Sequence, residues 1–220
     1  MKEIVCFGDS NTYGLIPGTK DRYASTERWT GIVAERMKEH GYLVSEEGLC
    51  GRTTVFDDPF RQGRRGTELL PVILETHSPI DTAVVMLGTN DCKAYINASA
   101  SMIGFGVRKI LEQIRRFDSK IKILLISPIF LGDDIFNGYD LEFNEKSVSV
   151  CKELGDVYER IAKEENISFL RASDFAVASD IDREHLDENG HRKLAEAVIN
   201  KFTFEIAPTI IDDKKVLTNN

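Results

Sequence analysis

Apolar residues along this chain fall into two kinds of stretch that alternate. Short β-prone runs occupy residues 3–7, 43–47, 82–87, 122–128 and 167–171, and each predicts a strand. The run at 82–87 is apolar almost throughout and bounded by turn residues, which predicts a strand buried on both faces. Pro128 stops the fourth strand. Between the runs lie longer segments with apolar residues every three or four positions. Residues 28–40 carry Trp29, Ile32, Val33 and Met37 on one face, and Gly41 ends the helix. Residues 103–117 carry Ile103, Val107, Ile110, Leu111 and Ile114 in the same way. Further helices are predicted from about Thr67, over 145–165 and over 189–202. Segments 52–66 and 129–144 lack either period and read as loops, and the polar residues from 210 onward read as a frayed tail.

Strands alternating with helices imply right-handed βαβ crossovers and a parallel sheet covered on both faces. The expected fold is a three-layer α/β/α sandwich with a five-stranded parallel sheet in flavodoxin-like order. No linker or repeat divides the chain, so residues 1–209 are expected to form one domain, followed by the tail at 210–220.

Composition narrows the function classes. The chain has 220 residues and a net charge of −8, which argues against a nucleic-acid partner. There is no apolar leader and no membrane-length run, so no membrane partner and a cytoplasmic location are expected. The four cysteines are widely separated, which argues against a disulfide scaffold or a zinc site, and no metal is expected.

The first strand runs into Gly8-Asp9-Ser10-Asn11-Thr12, placing a serine at the carboxyl end of a strand, where open α/β sheets hold their ligands. A serine hydroxyl is a weak nucleophile without a base. His185 is the best candidate, because Asp182 lies three residues upstream and can orient its ring; Asp180 ranks second as that partner. His40 falls at a helix end and His77 in a turn. His191 competes but has no aspartate three residues before it. Gly88-Thr89-Asn90-Asp91 follows the third strand, and its Asn90 amide can donate to an oxyanion. Gly48 and Gly51 follow the second strand and allow close backbone approach. Each segment taken alone is ordinary turn chemistry; all are expected at one edge of one sheet.

The blocks Gly8-Asp9-Ser10-Asn11, Gly51, Gly88-Thr89-Asn90-Asp91 and Asp182-Arg183-Glu184-His185 resemble those of the SGNH hydrolases, also called the GDSL esterase/lipase family. The resemblance implies Ser10, His185 and Asp182 as the catalytic triad, and Ser10, Gly51 and Asn90 as oxyanion donors. It needs no cofactor. Asn11 stands where the name-giving motif has leucine, a position that lines the site in the family. Further stretches, including Arg28-Trp29-Thr30-Gly31, Gly51-Arg52-Thr53-Thr54 and Asp57-Asp58-Pro59, are similar to the single-domain bacterial arylesterase/acyltransferase branch. That likeness implies a small-molecule ester substrate, acyl transfer to alcohols beside hydrolysis, and a homo-oligomer. It also places Trp29 and Lys93 beside the acyl pocket, with Asp9 and Asn11 nearby. Trp29 reads equally well as helix-to-sheet core. Asp9 and Asp91 suit turn capping, and Cys50 and Cys92 suit packing.

Three other readings stay open. A carbohydrate O-acetyl esterase has the same blocks, a flavodoxin-like module would hold a phosphate at the first turn, and an inactive scaffold would keep only the fold. Arg61, Arg64 and Arg65 form a basic cluster that either faces solvent or meets an anionic partner or neighbouring subunit.

Overall fold

Five strands run parallel in the computed structural model, which describes residues 1–208. They are β1 (Lys2–Gly8), β2 (Tyr42–Gly48), β3 (Ile80–Met86), β4 (Lys122–Ser127) and β5 (Ser168–Arg171). Their spatial order is β2-β1-β3-β4-β5, the flavodoxin-like order expected from the sequence. The chain winds outward in both directions from β1. A crevice therefore opens at the carboxyl ends of β1 and β3, where doubly wound sheets bind ligands. The tail expected at 210–220 lies outside the described residues.

Side chains of the central strands alternate between two cores. Val5, Phe7, Ala83, Val85, Ile123 and Leu125 share one buried cluster with α3 (Gly66–His77), α4 (Ala100–Phe117) and α5 (Glu145–Glu165). Ile4, Cys6, Val84, Met86, Leu124 and Ile126 share the other with α2 (Trp29–Lys38) and α6 (Glu188–Lys201). Burial on both faces is why these strands read as continuous apolar runs.

Local chemistry moves some boundaries. Helix α4 begins three residues before the predicted start because Ser99 Oγ accepts the Met102 N–H at 3.3 Å. At the start of α5, Asn144 Oδ1 accepts the Ser147 N–H at 2.9 Å and Ser147 Oγ accepts the Asn144 N–H at 3.1 Å. Pro71 lies inside α3, where it removes the N–H that would bond the Thr67 carbonyl. Gln113 of α4 fills that gap: its Nε2 donates to the Thr67 carbonyl at 2.8 Å.

Segment 129–144 contains no helix or strand, as its lack of period predicts. It is nevertheless part of the core, since Leu131, Ile135 and Phe143 are buried in the α3–α4–α5 layer. Its backbone also reaches the segment before α6, with the Gly132 N–H donating to the Arg183 carbonyl at 2.7 Å.

Candidate active site

Ser10 opens a four-residue helix, α1 (Ser10–Tyr13), directly behind β1. The sequence reads this stretch only as a turn. Asp9 makes it a helical turn by accepting the Asn11 N–H at 3.0 Å, and Gly14 ends it with a left-handed φ. The Ser10 side chain is thereby held at the carboxyl edge of the sheet.

His185 approaches from the segment before α6. Its Nε2 lies 2.9 Å from Ser10 Oγ, and its Nδ1 lies 2.8 Å from Asp182 Oδ2. Asp182 is itself fixed, because its Oδ1 accepts the N–H groups of Glu184 (3.1 Å) and His185 (3.0 Å), while Oδ2 accepts that of Gly18 (3.1 Å). Asp180 instead pairs with Arg183 and stays exposed. The structure thus brings together Ser10, His185 and Asp182 in one hydrogen-bonded chain. Arg183 adopts φ 64°, an uncommon conformation for a residue with a side chain, and its carbonyl is held by Gly132.

The four residues expected near the pocket are all tightly held. Asn11 is buried and bonded to the His185 segment. Its Nδ2 donates to the Glu184 carbonyl at 3.4 Å and its Oδ1 accepts the Leu186 N–H at 2.9 Å, so one amide holds the backbone on both sides of His185. Trp29 is fully buried in the α2–α6 core and donates from Nε1 to the Asn11 carbonyl at 3.0 Å. An indole at that helix position is long enough to fill the layer between helix and sheet. Asp9 is buried as the cap of α1, and burial pushes its carboxyl up to about 7. Lys93 is 3% exposed, with Nζ 2.7 Å from Glu142 Oε2 and 3.7 Å from Asp58 Oδ2.

The segments after β2 and β3 meet through Asn90 and Asp91. Asn90 Nδ2 donates to the Arg52 carbonyl at 3.2 Å. Buried Asp91 accepts the Thr54 N–H at 3.0 Å together with the Thr54 hydroxyl, which ties the chain just beyond Gly51 to the chain just beyond β3. Gly51 has φ +83° and lies three residues past Gly48, which is registered against Gly8. Among the described residues its N–H has no backbone acceptor. Gly88, at φ +125°, permits Tyr158 to pack against the turn and donate to the Leu87 carbonyl at 2.8 Å.

Carboxylates gather around the imidazole. Glu184 Oε2 is 3.7 Å from His185 Nε2, a neighbour that sequence reasoning did not assign. The only signal for it was its place inside the Asp182–His185 block. Burial opposes a charge on His185, but Glu184, Asp182 and Asp9 more than offset it and hold the imidazole up at about 9. Burial likewise disfavours charge on Asp182, yet its bond to His185 brings it down to about 2. His191, the competing histidine, is buried away from this cluster. Its Nδ1 accepts the Trp29 N–H at 3.3 Å, and burial lowers its pKa to about 4. Cys92 is buried, whereas Cys50 is half-buried and its thiol is pushed up by burial.

A doubly wound sheet with a Ser–His–Asp chain at its carboxyl edge, and with Gly51 and Asn90 in the segments that follow β2 and β3, has the fold and residue blocks of the SGNH hydrolases. Residues 6–193 match the model of the GDSL-like lipase/acylhydrolase family. The chain belongs to that family and is a carboxylic ester hydrolase. A carbohydrate acetylesterase from Sinorhizobium meliloti is similar at 32% identity and a TM-score of 0.86, over 93% of this chain and 99% of that one. The native aryl esterase of M. smegmatis is similar at 31% identity and a TM-score of 0.86, again over 93% and 99%. A lipase/acylhydrolase from Enterococcus faecalis, at 20% identity and a TM-score of 0.64, covering 93% of this chain and 96% of its own, has the same fold. No curated protein sequence matches the chain. Among the described residues, no helix is long and apolar enough to cross a membrane.

Proposed function

We propose that this chain is a serine esterase for short-chain carboxylic esters, aryl or alkyl acetates, working through an acyl-enzyme on Ser10. The observation that carries the reading is the continuous chain from Ser10 Oγ through His185 to Asp182, at 2.9 and 2.8 Å. Ser10 Oγ attacks the ester carbonyl carbon while His185 Nε2 takes the hydroxyl proton. Asp182 keeps the Nδ1 proton in place and stabilises the imidazolium. The negative oxygen of the tetrahedral intermediate accepts from the backbone N–H groups of Ser10 and Gly51 and from Asn90 Nδ2. His185 returns its proton to the departing alcohol oxygen, leaving an acyl-serine. Water, deprotonated by His185 in turn, attacks the acyl carbon, and His185 returns that proton to Ser10 Oγ as the acyl–oxygen bond breaks and the acid leaves; an alcohol in place of water gives a new ester. The substrate is a small molecule, and every proton and bond in this sequence is handled by the chain's own groups. A cytoplasmic homo-oligomer is the setting proposed for it.

A second reading, deacetylation of carbohydrates, is favoured by the likeness to the Sinorhizobium meliloti enzyme, which is as strong as the likeness to the aryl esterase. Rates on phenyl acetate, an alkyl acetate and an acetylated oligosaccharide, measured with and without added alcohol, separate these substrates. Ser10→Ala should abolish turnover and labelling by a fluorophosphonate. Retained turnover in that variant removes Ser10 from the mechanism.

A further inference from the structure

The arginine cluster of segment 52–66 is divided by the fold. Arg65 pairs with Asp57 and lies 3.2 Å from Glu68, so its charge is met locally. Among the described residues, Arg61 and Arg64 form no ion pair. Both turn back toward Gly51 instead. A Cβ on Gly51 would lie 2.6 Å from Arg61 Nη1 and 3.4 Å from Arg64 Cδ. Arg64 donates only to the carbonyls of Gln62 (2.8 Å) and Gly63 (3.5 Å), and its Nε is buried without a partner.

The neighbouring carboxylate is already engaged. Asp58 Oδ1 accepts the N–H groups of Phe60 (2.9 Å) and Arg61 (3.1 Å). Its Oδ2 accepts the Tyr95 hydroxyl at 3.1 Å and faces Lys93 at 3.7 Å. Burial and the charge of Arg61 hold the Arg64 guanidinium below its ordinary value. Two neighbouring cations that repel each other, without a dedicated counter-ion, form a place for an external anion. They stand out in a chain of net charge −8. The site is thus polarised, with carboxylates collected at His185 and guanidiniums at Gly51.

We propose that Arg61 and Arg64 form an anion subsite on the Gly51 side of the active site, selecting esters that carry a carboxylate. This rests on the esterase reading above. The guanidinium forks bind the carboxylate, while Glu184 repels it from the His185 side and so fixes which way the ester lies. Neutral esters of the same shape lack this contact.

The test compares 3-acetoxybenzoate with its neutral methyl ester, each rate divided by that for hydroxide, in wild type and in the R61Q/R64Q double variant. The wild type should favour the anionic ester by about tenfold or more in kcat/KM at low salt. That ratio should shrink in 0.5 M salt, about where exposed charges are screened, and fall toward one in the double variant, mainly through KM. A ratio near one in wild type, or one that the double variant leaves unchanged, overturns the subsite. Calorimetric binding of 3-hydroxybenzoate provides a readout independent of turnover. Binding to wild type that is lost in the double variant supports the subsite even where neither ester is cleaved, in which case the esterase reading alone fails. Equal binding to both proteins, or to neither, overturns it.

Discussion

Asn11 and Leu186 are joined across 175 positions, the Asn11 Oδ1 accepting the Leu186 N–H at 2.9 Å. Together with the bond to the Glu184 carbonyl, this makes Asn11 a positioning residue for His185. Each buried hydrogen bond of this kind contributes about 1 kcal/mol. Asn11→Ala should therefore lower kcat by roughly tenfold, with a smaller change in KM, because a misplaced base affects the chemical step. Asn11→Asp keeps the acceptor for Leu186 but loses the donor to Glu184, and should fall between. A kcat in Asn11→Ala equal to wild type would show that His185 does not depend on this clamp.

The acidic surroundings of His185 set a pH dependence. A base must be neutral to accept the Ser10 proton, and His185 is held protonated up to about pH 9. For a neutral ester, kcat/KM should rise with pH to a plateau above about pH 9. Glu184→Gln removes an anion 3.7 Å from Nε2, which lowers the imidazole pKa and moves the rise to lower pH. Asp182 and Asp9, the other carboxylates raising that pKa, remain in the variant. An upward shift in Glu184→Gln contradicts this account of the imidazole.

Asn90 is expected to act mostly on the transition state. Its Nδ2 is already oriented by the Arg52 carbonyl, so little reorganisation accompanies donation to an oxyanion. Asn90→Ala should reduce kcat by about 10²–10³ and change KM far less. A purely structural asparagine would give the opposite pattern, with a lower melting temperature and near-normal kcat in the folded fraction.

Pro71 and Gln113 provide a stability test remote from the site. Gln113→Ala leaves the Thr67 carbonyl without its donor and should destabilise the fold by about 1 kcal/mol. In a Pro71→Ala background the helix supplies its own N–H, so the same substitution should cost less. Denaturant unfolding of the four proteins in this double-mutant cycle measures the coupling, and strict additivity would refute it.

What the sequence reveals and conceals follows from how far each interaction reaches. The strands declare themselves because both faces are buried, as in Thr82 through Leu87. Asp182 and His185 are readable as a pair because three residues separate them in one turn. The two roles of Asn11 are not readable, since a side chain bonding backbone so far along the chain leaves no local pattern. Trp29 offers an indole at helical spacing, which fits core or pocket until packing decides. The arginines are alike in sequence, and only the fold shows that Asp57 and Glu68 take Arg65 and leave the other two.

Segment 129–144 has no regular structure, yet it anchors Ile135 at 0% exposure and Leu131 and Phe143 at 3% in the core. Lifting it would expose those side chains to water and break the Gly132–Arg183 bond beside the proposed base. It is therefore unsuited to serve as a hinged cover that opens at an oil–water boundary. Hydrolysis should follow simple saturation with dissolved ester, without a jump in rate as the substrate passes its solubility limit.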